Sequence, residues 1–212
     1  MAIVPALLVV VLALNFFVLG TSRLRSIVSA SALQGVTLGV LALLVHDHLS
    51  WDAVLVAIGA AFIKGLIIPG MLLKAMRDSS MKREVEPFIG YVASLLLGAV
   101  ATGISIVFAQ TLPLAPEHQG SLLIPSALST VLAGFIVLTT RRKAITQVVG
   151  YLTLENGIYI MGLTLLKAIP FLVEVGVLLD LFVAIFVMGI IINKISREFS
   201  SLDTARLSAL KE

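Results

Sequence analysis

Apolar residues in this chain form long runs that are separated by short polar segments. Seven runs approach or exceed the length that a helix needs to cross the hydrocarbon core of a bilayer, about 20 residues. They lie at about residues 3–20, 26–46, 52–76, 88–111, 121–140, 144–166 and 171–194. The pattern predicts an all-α, polytopic membrane protein of about seven transmembrane helices.

Composition supports this class, because 59% of the 212 residues are hydrophobic and only 13% are charged. Nearly every residue belongs to a predicted span or a short loop, which leaves no room for a soluble catalytic domain. The first run lacks a basic start and a small-residue cleavage site, so it is expected to be a retained helix.

The chain has no cysteine, which excludes disulfides, iron–sulfur clusters and thiolate metal sites. All three histidines, His46, His48 and His118, fall in predicted loops, which argues against a haem held between helices. The cluster around His46 and His48 is more typical of an exposed polar turn than of a metal site. We expect no cofactor and no catalytic centre of the chain's own.

Basic residues concentrate in alternate loops, which predicts the orientation of the chain. One set of loops holds nearly all of them: Arg23, Arg25, Lys74, Arg77, Lys82, Arg83, Arg141, Arg142, Lys143, Lys194 and Arg197. The opposite loops hold Asp47, Asp52, Glu117 and a single base, Lys167. Because basic loops stay in the cytoplasm, the N-terminus is predicted outside and the C-terminus inside. The net charge of +3 reflects this bias and does not indicate nucleic-acid binding.

The first three and last three runs share their order and directions, and Gly39 and Gly157 follow a basic turn at similar distances. This predicts two parallel three-helix units joined by a connector. The predicted parts are the first unit (1–86), the connector helix with an outer loop (87–120), the second unit (121–194) and a cytoplasmic tail (195–212).

Three ionisable residues lie at similar depth inside the apolar runs: Lys64, Glu155 and Asp180. An ionisable group in the hydrocarbon core costs several kcal/mol, at least about 3 on insertion scales, so such groups are usually paired and functional. Lys64 can neutralise one carboxylate, and the low dielectric favours the protonated form of the other acid. Moving Lys64 between the acids would release that proton. The alternative is structural ion pairing alone.

A polar stripe follows the sixth run, where Gln147, Tyr151, Glu155 and Tyr159 recur at every fourth position. The stripe is either a hydrogen-bonded proton route toward Glu155 or a set of polar contacts between packed helices. Glu174 lies one turn inside the seventh run and is a further candidate, although it is close enough to the end to reach the interface.

Pro69 follows Lys64 by five residues and cannot donate a hydrogen bond to the carbonyl of Gly65. We predict a kink there that shapes the Lys64 site. A freed carbonyl that pairs with the ammonium is the alternative. Gln34 and Thr37 are expected to make contacts between helices.

The segment GYLTLENGIYIMGL in the sixth run resembles the glutamate-bearing second helix of the K-type (4L) subunit of complex I and of its antiporter relatives. The segment WDAVLVAIGAAFIKGLIIPGMLL resembles their third helix, with a lysine and a proline added. As a whole, the chain is similar to the hydrogenase-4 component E family, which occurs in formate hydrogenlyase-type and related membrane-bound hydrogenase complexes.

The resemblance implies a non-redox subunit of an oxidoreductase membrane arm in the plasma (inner) membrane of a prokaryote. Implied partners are antiporter-like and quinone-site-type subunits and, through them, a soluble hydrogenase or redox module. The implied activity is proton or sodium translocation. Glu155 matches the K-type glutamate, and Asp180 and Glu174 are approximate matches to the third-helix acid. Thr37 stands where a first-unit glutamate would be expected.

Other classes remain open on the sequence. A stand-alone ion or small-solute transporter also suits duplicated helices and midplane charges, and a purely structural scaffold is a further alternative. A retinal-binding pump is disfavoured, because the buried lysine is in the third run and aromatic residues make up only 7% of the chain.

Overall fold

The computed structural model describes residues 3–45, 51–78, 85, 87–112 and 120–165. The seventh predicted run, with Asp180 and Glu174, lies outside the described residues, as do the tail and the turn at His46–His48. The predicted duplication, whose second unit includes that run, therefore stays a prediction.

The described residues confirm the all-helical fold class, and their helices follow the predicted runs closely. The helices are α1 (Ile3–Gly20), α2 (Leu24–Val45), α3 (Trp51–Phe62), α4 (Ile68–Asp78), α5 (Tyr91–Thr111), α6 (Leu123–Thr140) and α7 (Ala144–Leu165). Within the part of the chain that the structure describes, five stretches are long and apolar enough to cross a membrane: Ile3–Gly20, Leu24–Val45, Ala57–Lys74, Tyr91–Thr111 and Leu123–Thr140. The chain is a multi-pass membrane protein.

The third run is not a regular α-helix, because a π-helical turn at Ile63–Ile67 joins α3 to α4. The Ile68 N–H donates to the Ile63 carbonyl, five residues back. Pro69 follows directly and has no N–H to offer. The irregularity predicted near Pro69 is thus a π-helical turn, and Lys64 lies within it. Such turns are rare and occur frequently at functional sites.

The prediction for the start of the fourth span was wrong by three residues. Pro87 lies before the helix and pairs with Arg141 in an isolated antiparallel bridge. The Phe88 N–H donates to the Thr140 carbonyl at 2.7 Å, and α5 begins only at Tyr91. Apolar Phe88 and Ile89 lengthened the run in the sequence, whereas the backbone at Pro87 and Phe88 binds the turn between α6 and α7.

Helices α6 and α7 lie antiparallel with their backbones in contact. A Cβ atom added to Gly150 would lie 2.5 Å from the Leu138 nitrogen, and one added to Gly157 would lie 2.5 Å from the Val131 nitrogen. A Cβ atom on Gly134 would collide with the Leu154 backbone. Small residues at these positions therefore permit the close approach, as is usual between transmembrane helices.

Helix α2 is the central element, since it packs against α1, α3, the π-helical turn, α4 and α7. Gly35 and Gly39 form its contact with the third run. Added Cβ atoms there would lie 2.7 Å from Lys64 Cβ and 2.5 Å from Ala61 Cβ, respectively. The small residues Ala57 and Ala61, before Lys64 in the third run, thus pack against α2.

Helix α5 lies at the periphery and presents an apolar outer face. Its exposed residues recur at every third or fourth position: Val92, Leu96, Val100, Ile104 and Val107. Val92 is 72% exposed. Such an apolar face is suited to contact with lipid, which is as apolar as the side chains themselves.

Candidate functional site

Lys64 and Glu155 form an ion pair in the interior of the helix bundle. Lys64 Nζ lies 2.9 Å from Glu155 Oε1, and the two side chains are only 6% and 5% exposed. The base comes from the π-helical turn and the acid from the middle of α7. Of the three ionisable groups expected within mutual reach, these two are together, and Asp180 lies outside the described residues.

The local fold brings the two charges together. Because Gly35 has no side chain, the backbone at Lys64 lies directly against α2. The Lys64 side chain can then reach α7 beside it. Tyr159, one turn beyond Glu155, places its ring centroid 5.1 Å from Lys64 Nζ. This distance is within the range of a cation–π contact, so the ammonium contacts both a carboxylate and an aromatic face.

The pair brings no net charge into the apolar interior, but each partner needs the other to neutralise its charge. Removing one partner of a buried ion pair typically costs about 3–5 kcal/mol, because a charge is left uncompensated. The chemistry available here is therefore the gain or loss of a proton linked to the making or breaking of the pair. Within the described ranges, no three His, Cys, Asp or Glu side chains lie together in a way that could hold a metal ion.

The predicted polar stripe of α7 divides into two halves. Glu155 and Tyr159 meet Lys64 as described. Tyr151 is half-buried and packs against the apolar core to which α1, α2, α4, α6 and α7 contribute. Gln147 Nε2 donates to the Arg141 carbonyl at 2.9 Å. The Gln147 end of the stripe thus binds the turn between α6 and α7.

A network of four buried polar side chains, not predicted as a unit, joins four helices beside the ion pair. Asn156 Nδ2 donates to Gln34 Oε1 at 3.2 Å. Gln34 Nε2 donates to Asn15 Oδ1 at 2.8 Å, and Asn15 Nδ2 donates to Thr130 Oγ1 at 2.8 Å. Each of these residues is at most 2% exposed. We call Asn15, Gln34, Thr130 and Asn156 the amide ladder.

The ladder confirms the interhelical role expected for Gln34. The Thr37 hydroxyl donates to the Leu33 carbonyl of its own helix at 2.8 Å, and its contact with another helix stays a prediction. The signal in the sequence was the presence of carboxamides within apolar runs, since such groups need partners in lipid. Their pairing depends on which helices are neighbours, which a single sequence does not specify.

Arg141 was predicted as one of the basic residues of a cytoplasmic loop, but its side chain is fully buried. Arg141 Nη2 donates to the Leu19 carbonyl at 2.7 Å, and Nη1 donates to Ser94 Oγ at 3.2 Å. Its guanidinium also lies 5.5 Å from the centroid of the Tyr91 ring. Arg141 therefore connects the ends of α1 and α5 to the α6–α7 turn.

Burial lowers the pKa of the Arg141 guanidinium from its ordinary value, and Tyr91 partly opposes that change. The group nevertheless stays charged, because arginine does not lose its proton in proteins. Its charge is thus a fixed structural feature at the end of the bundle and does not titrate with the ion pair.

Replacing Arg141 with lysine is expected to lower the free energy of unfolding by about 2 kcal/mol, because one ammonium cannot reproduce the planar fork that reaches both acceptors. Arg142→Lys is the matched control, since Arg142 is exposed and contacts only the Phe88 ring among the contacts resolved for it. Thermal unfolding of the purified chain in mild detergent measures both. Equal midpoints for the two variants would contradict the role given to Arg141.

Comparisons with known proteins agree with the membrane class. The chain is 33% identical over 196 residues to the uncharacterized protein Rv0085 of Mycobacterium tuberculosis, covering 89% of this chain and 87% of that protein. It is 29% identical over 163 residues to hydrogenase-4 component E of Escherichia coli K12, covering 76% and 74%. The Shigella flexneri protein of the same name matches equally. No protein-family model and no solved structure matches the chain.

Proposed function

Because this chain belongs to the hydrogenase-4 component E family, we propose that it is a non-redox membrane subunit of a multisubunit hydrogenase or related complex I-like oxidoreductase. In this role the chain contributes Lys64 and Glu155 to proton or sodium translocation that is driven by redox chemistry in partner subunits. The partners are antiporter-like and quinone-site-type membrane subunits and, through them, a soluble hydrogenase module.

The observation that carries the proposal is the buried ion pair between Lys64 and Glu155. An ion pair at this depth is expensive to form, and replacing it with apolar side chains is often neutral or stabilising. Intramembrane ionisable residues are for this reason functional by default. The π-helical turn around Lys64 adds support, because its irregular backbone is typical of functional positions.

The proposed step is a transfer of the Lys64 ammonium between two acids. At rest Lys64 neutralises Glu155, and Asp180 holds a proton. When Lys64 moves to Asp180, that proton leaves, and Glu155 takes up a proton because its carboxylate has lost its counter-ion. When Lys64 returns to Glu155, the Glu155 proton passes to Asp180. If Glu155 takes up its proton from the cytoplasmic side and Asp180 releases its proton to the outside, one cycle moves one proton outward without a redox step in this chain.

The other polar residues of this region have supporting parts in the proposal. Tyr159 stabilises the ammonium through its ring face, and Tyr151 and Gln147 extend toward the cytoplasmic end of α7, on the side from which protons would enter. Glu174 is a further candidate for the opposite side. The proposed orientation has the N-terminus outside and the C-terminus in the cytoplasm of a prokaryotic cell, following the basic loops.

Two other functions make different predictions. A stand-alone ion or small-solute transporter would conduct ions when the purified chain alone is placed in liposomes. A structural scaffold would assemble with partners, yet its buried charges would be dispensable for pumping.

Purification of the tagged full chain in a gentle detergent tests the proposed membership of a complex. We expect antiporter-like membrane subunits and hydrogenase subunits to co-purify in fixed ratio, and the chain alone to give little ion flux in liposomes. Mass spectrometry identifies the bound subunits, and a dye-based flux assay measures the isolated chain. Recovery of the chain alone, with rapid flux, would replace this proposal with the transporter.

A further inference from the structure

The amide ladder lies close to both partners of the ion pair. Asn156 directly follows Glu155 on α7, and Gln34 directly precedes Gly35 on α2. Gly35 is the residue against which the Lys64 backbone packs. The hydrogen bond between Asn156 and Gln34 therefore joins the two helices at the level of the pair.

The spacing of α2 and α7 controls the separation of the charges. The π-helical turn that carries Lys64 packs against α2, whereas Glu155 belongs to α7. A displacement of α2 relative to α7 consequently moves Lys64 relative to Glu155. The ladder opposes this displacement from both ends, because Gln34 is also tied through Asn15 to Thr130 on α6, the helix in backbone contact with α7.

The ladder is suited to holding geometry and not to carrying protons. Its carboxamides are neutral groups with fixed donors and acceptors, and they have no titration in the physiological range. The donors all point in one direction, from Asn156 through Gln34 and Asn15 to Thr130, whose hydroxyl donates to the Ser126 carbonyl. Breaking one of these hydrogen bonds leaves a polar group unsatisfied in an apolar interior. This cost favours a single relative position of the helices that the ladder joins.

We propose that Gln34, Asn15, Asn156 and Thr130 are positioning residues that hold the Glu155 carboxylate against the Lys64 ammonium and so set how readily Glu155 takes up a proton. This inference deepens the proposed function, on which its relevance to ion translocation rests. The effect on Glu155 itself does not require that the chain moves ions.

The test replaces ladder residues and follows the Glu155 proton directly. Gln34→Met removes the central link with little change in volume, and Thr130→Val removes the last link. Thr153→Val is the matched control: Thr153 is also fully buried, and its hydroxyl donates only to the Val149 carbonyl of its own helix among the bonds resolved for it. Thr130 makes the same type of bond and in addition accepts from Asn15.

The measurement is the infrared band of protonated carboxyl groups, recorded over a range of pH on the full chain in lipid bilayers with isotope-labelled glutamate. The Glu155 contribution is the part that Glu155→Gln removes. In Gln34→Met we expect this band to appear at a pH about one unit more alkaline than in the unmodified protein, because the weakened pair no longer holds the charged form. Thr130→Val should shift it in the same direction by less, and Thr153→Val should not shift it.

The inference would be overturned if the Glu155 band appeared at the same pH in Gln34→Met and Thr130→Val as in Thr153→Val. If Gln34→Met does not fold, the shift of the Glu155 band in Thr130→Val tests the inference alone. This variant should fold, because valine fills nearly the same space as threonine. The proposed function fails separately: if Glu155→Gln pumps normally while the ladder variants shift the band, the ladder positions Glu155 but the pair does not move ions.

Discussion

Replacing Glu155 with glutamine is expected to lower ion translocation by the assembled complex by at least about tenfold, because an amide cannot bind and release the proton that the proposed step moves. Glutamine keeps the size of the side chain and can still accept a hydrogen bond from Lys64. The measurement is the ratio of protons moved to electrons transferred in inverted membrane vesicles that contain the complex.

Glu117→Gln, a change of the same chemistry in the predicted outer loop, is the control and should leave the ratio unchanged. Using a ratio separates the proposed role from loss of assembly, since a complex that fails to assemble loses both electron transfer and proton movement. A fully assembled Glu155→Gln complex with the normal ratio would favour the scaffold.

Replacing Gly35 with alanine should disrupt the site without changing any charged residue. The new Cβ atom would lie 2.7 Å from Lys64 Cβ and 3.1 Å from the Lys64 carbonyl carbon, whereas carbon atoms in contact prefer about 3.5–4.0 Å. Helix α2 and the π-helical turn must then separate, which lengthens the ion pair. We expect a loss of about 1–3 kcal/mol in the free energy of unfolding and a marked fall in the proton-to-electron ratio.

Gly70→Ala is the matched control, because Gly70 lies in the same predicted span as Lys64 and an added Cβ there meets no atom within 4 Å. It should leave both stability and translocation close to those of the unmodified protein. Thermal unfolding of the purified chain and the vesicle assay measure the two effects. If Gly35→Ala behaved like Gly70→Ala, the close packing of Lys64 against α2 would not matter for the site.

Much of the fold and the centre of the site could be predicted from the sequence, because lipid imposes strong rules on both. Apolar runs give the helices almost directly, and α1 has the predicted bounds. Lys64 and Glu155 could be singled out because charges are rare at that depth. Counting residues inward from each end placed them at similar depth, and the ion pair agrees with that estimate.

The remaining features depend on which helices are neighbours. Arg141 looks like its exposed neighbour Arg142 in the sequence, and only the arrival of Leu19 and Ser94 from other helices makes it a buried residue. The π-helical turn resembled a simple proline kink for a similar reason. A proline indicates that the hydrogen-bond pattern must change, but not which alternative pattern the surrounding helices will stabilise.

The backbone contact between α6 and α7 restricts where the protein can move during turnover. Two helices that touch through Gly134, Gly150 and Gly157 leave no space to slide or rotate against each other. Helices α6 and α7 should therefore stay fixed relative to each other, and Glu155 should stay fixed with them. In the proposed step the mobile part is then the Lys64 segment, which carries the irregular π-helical turn. In such a mechanism the cation is the moving element and the carboxylate the fixed one.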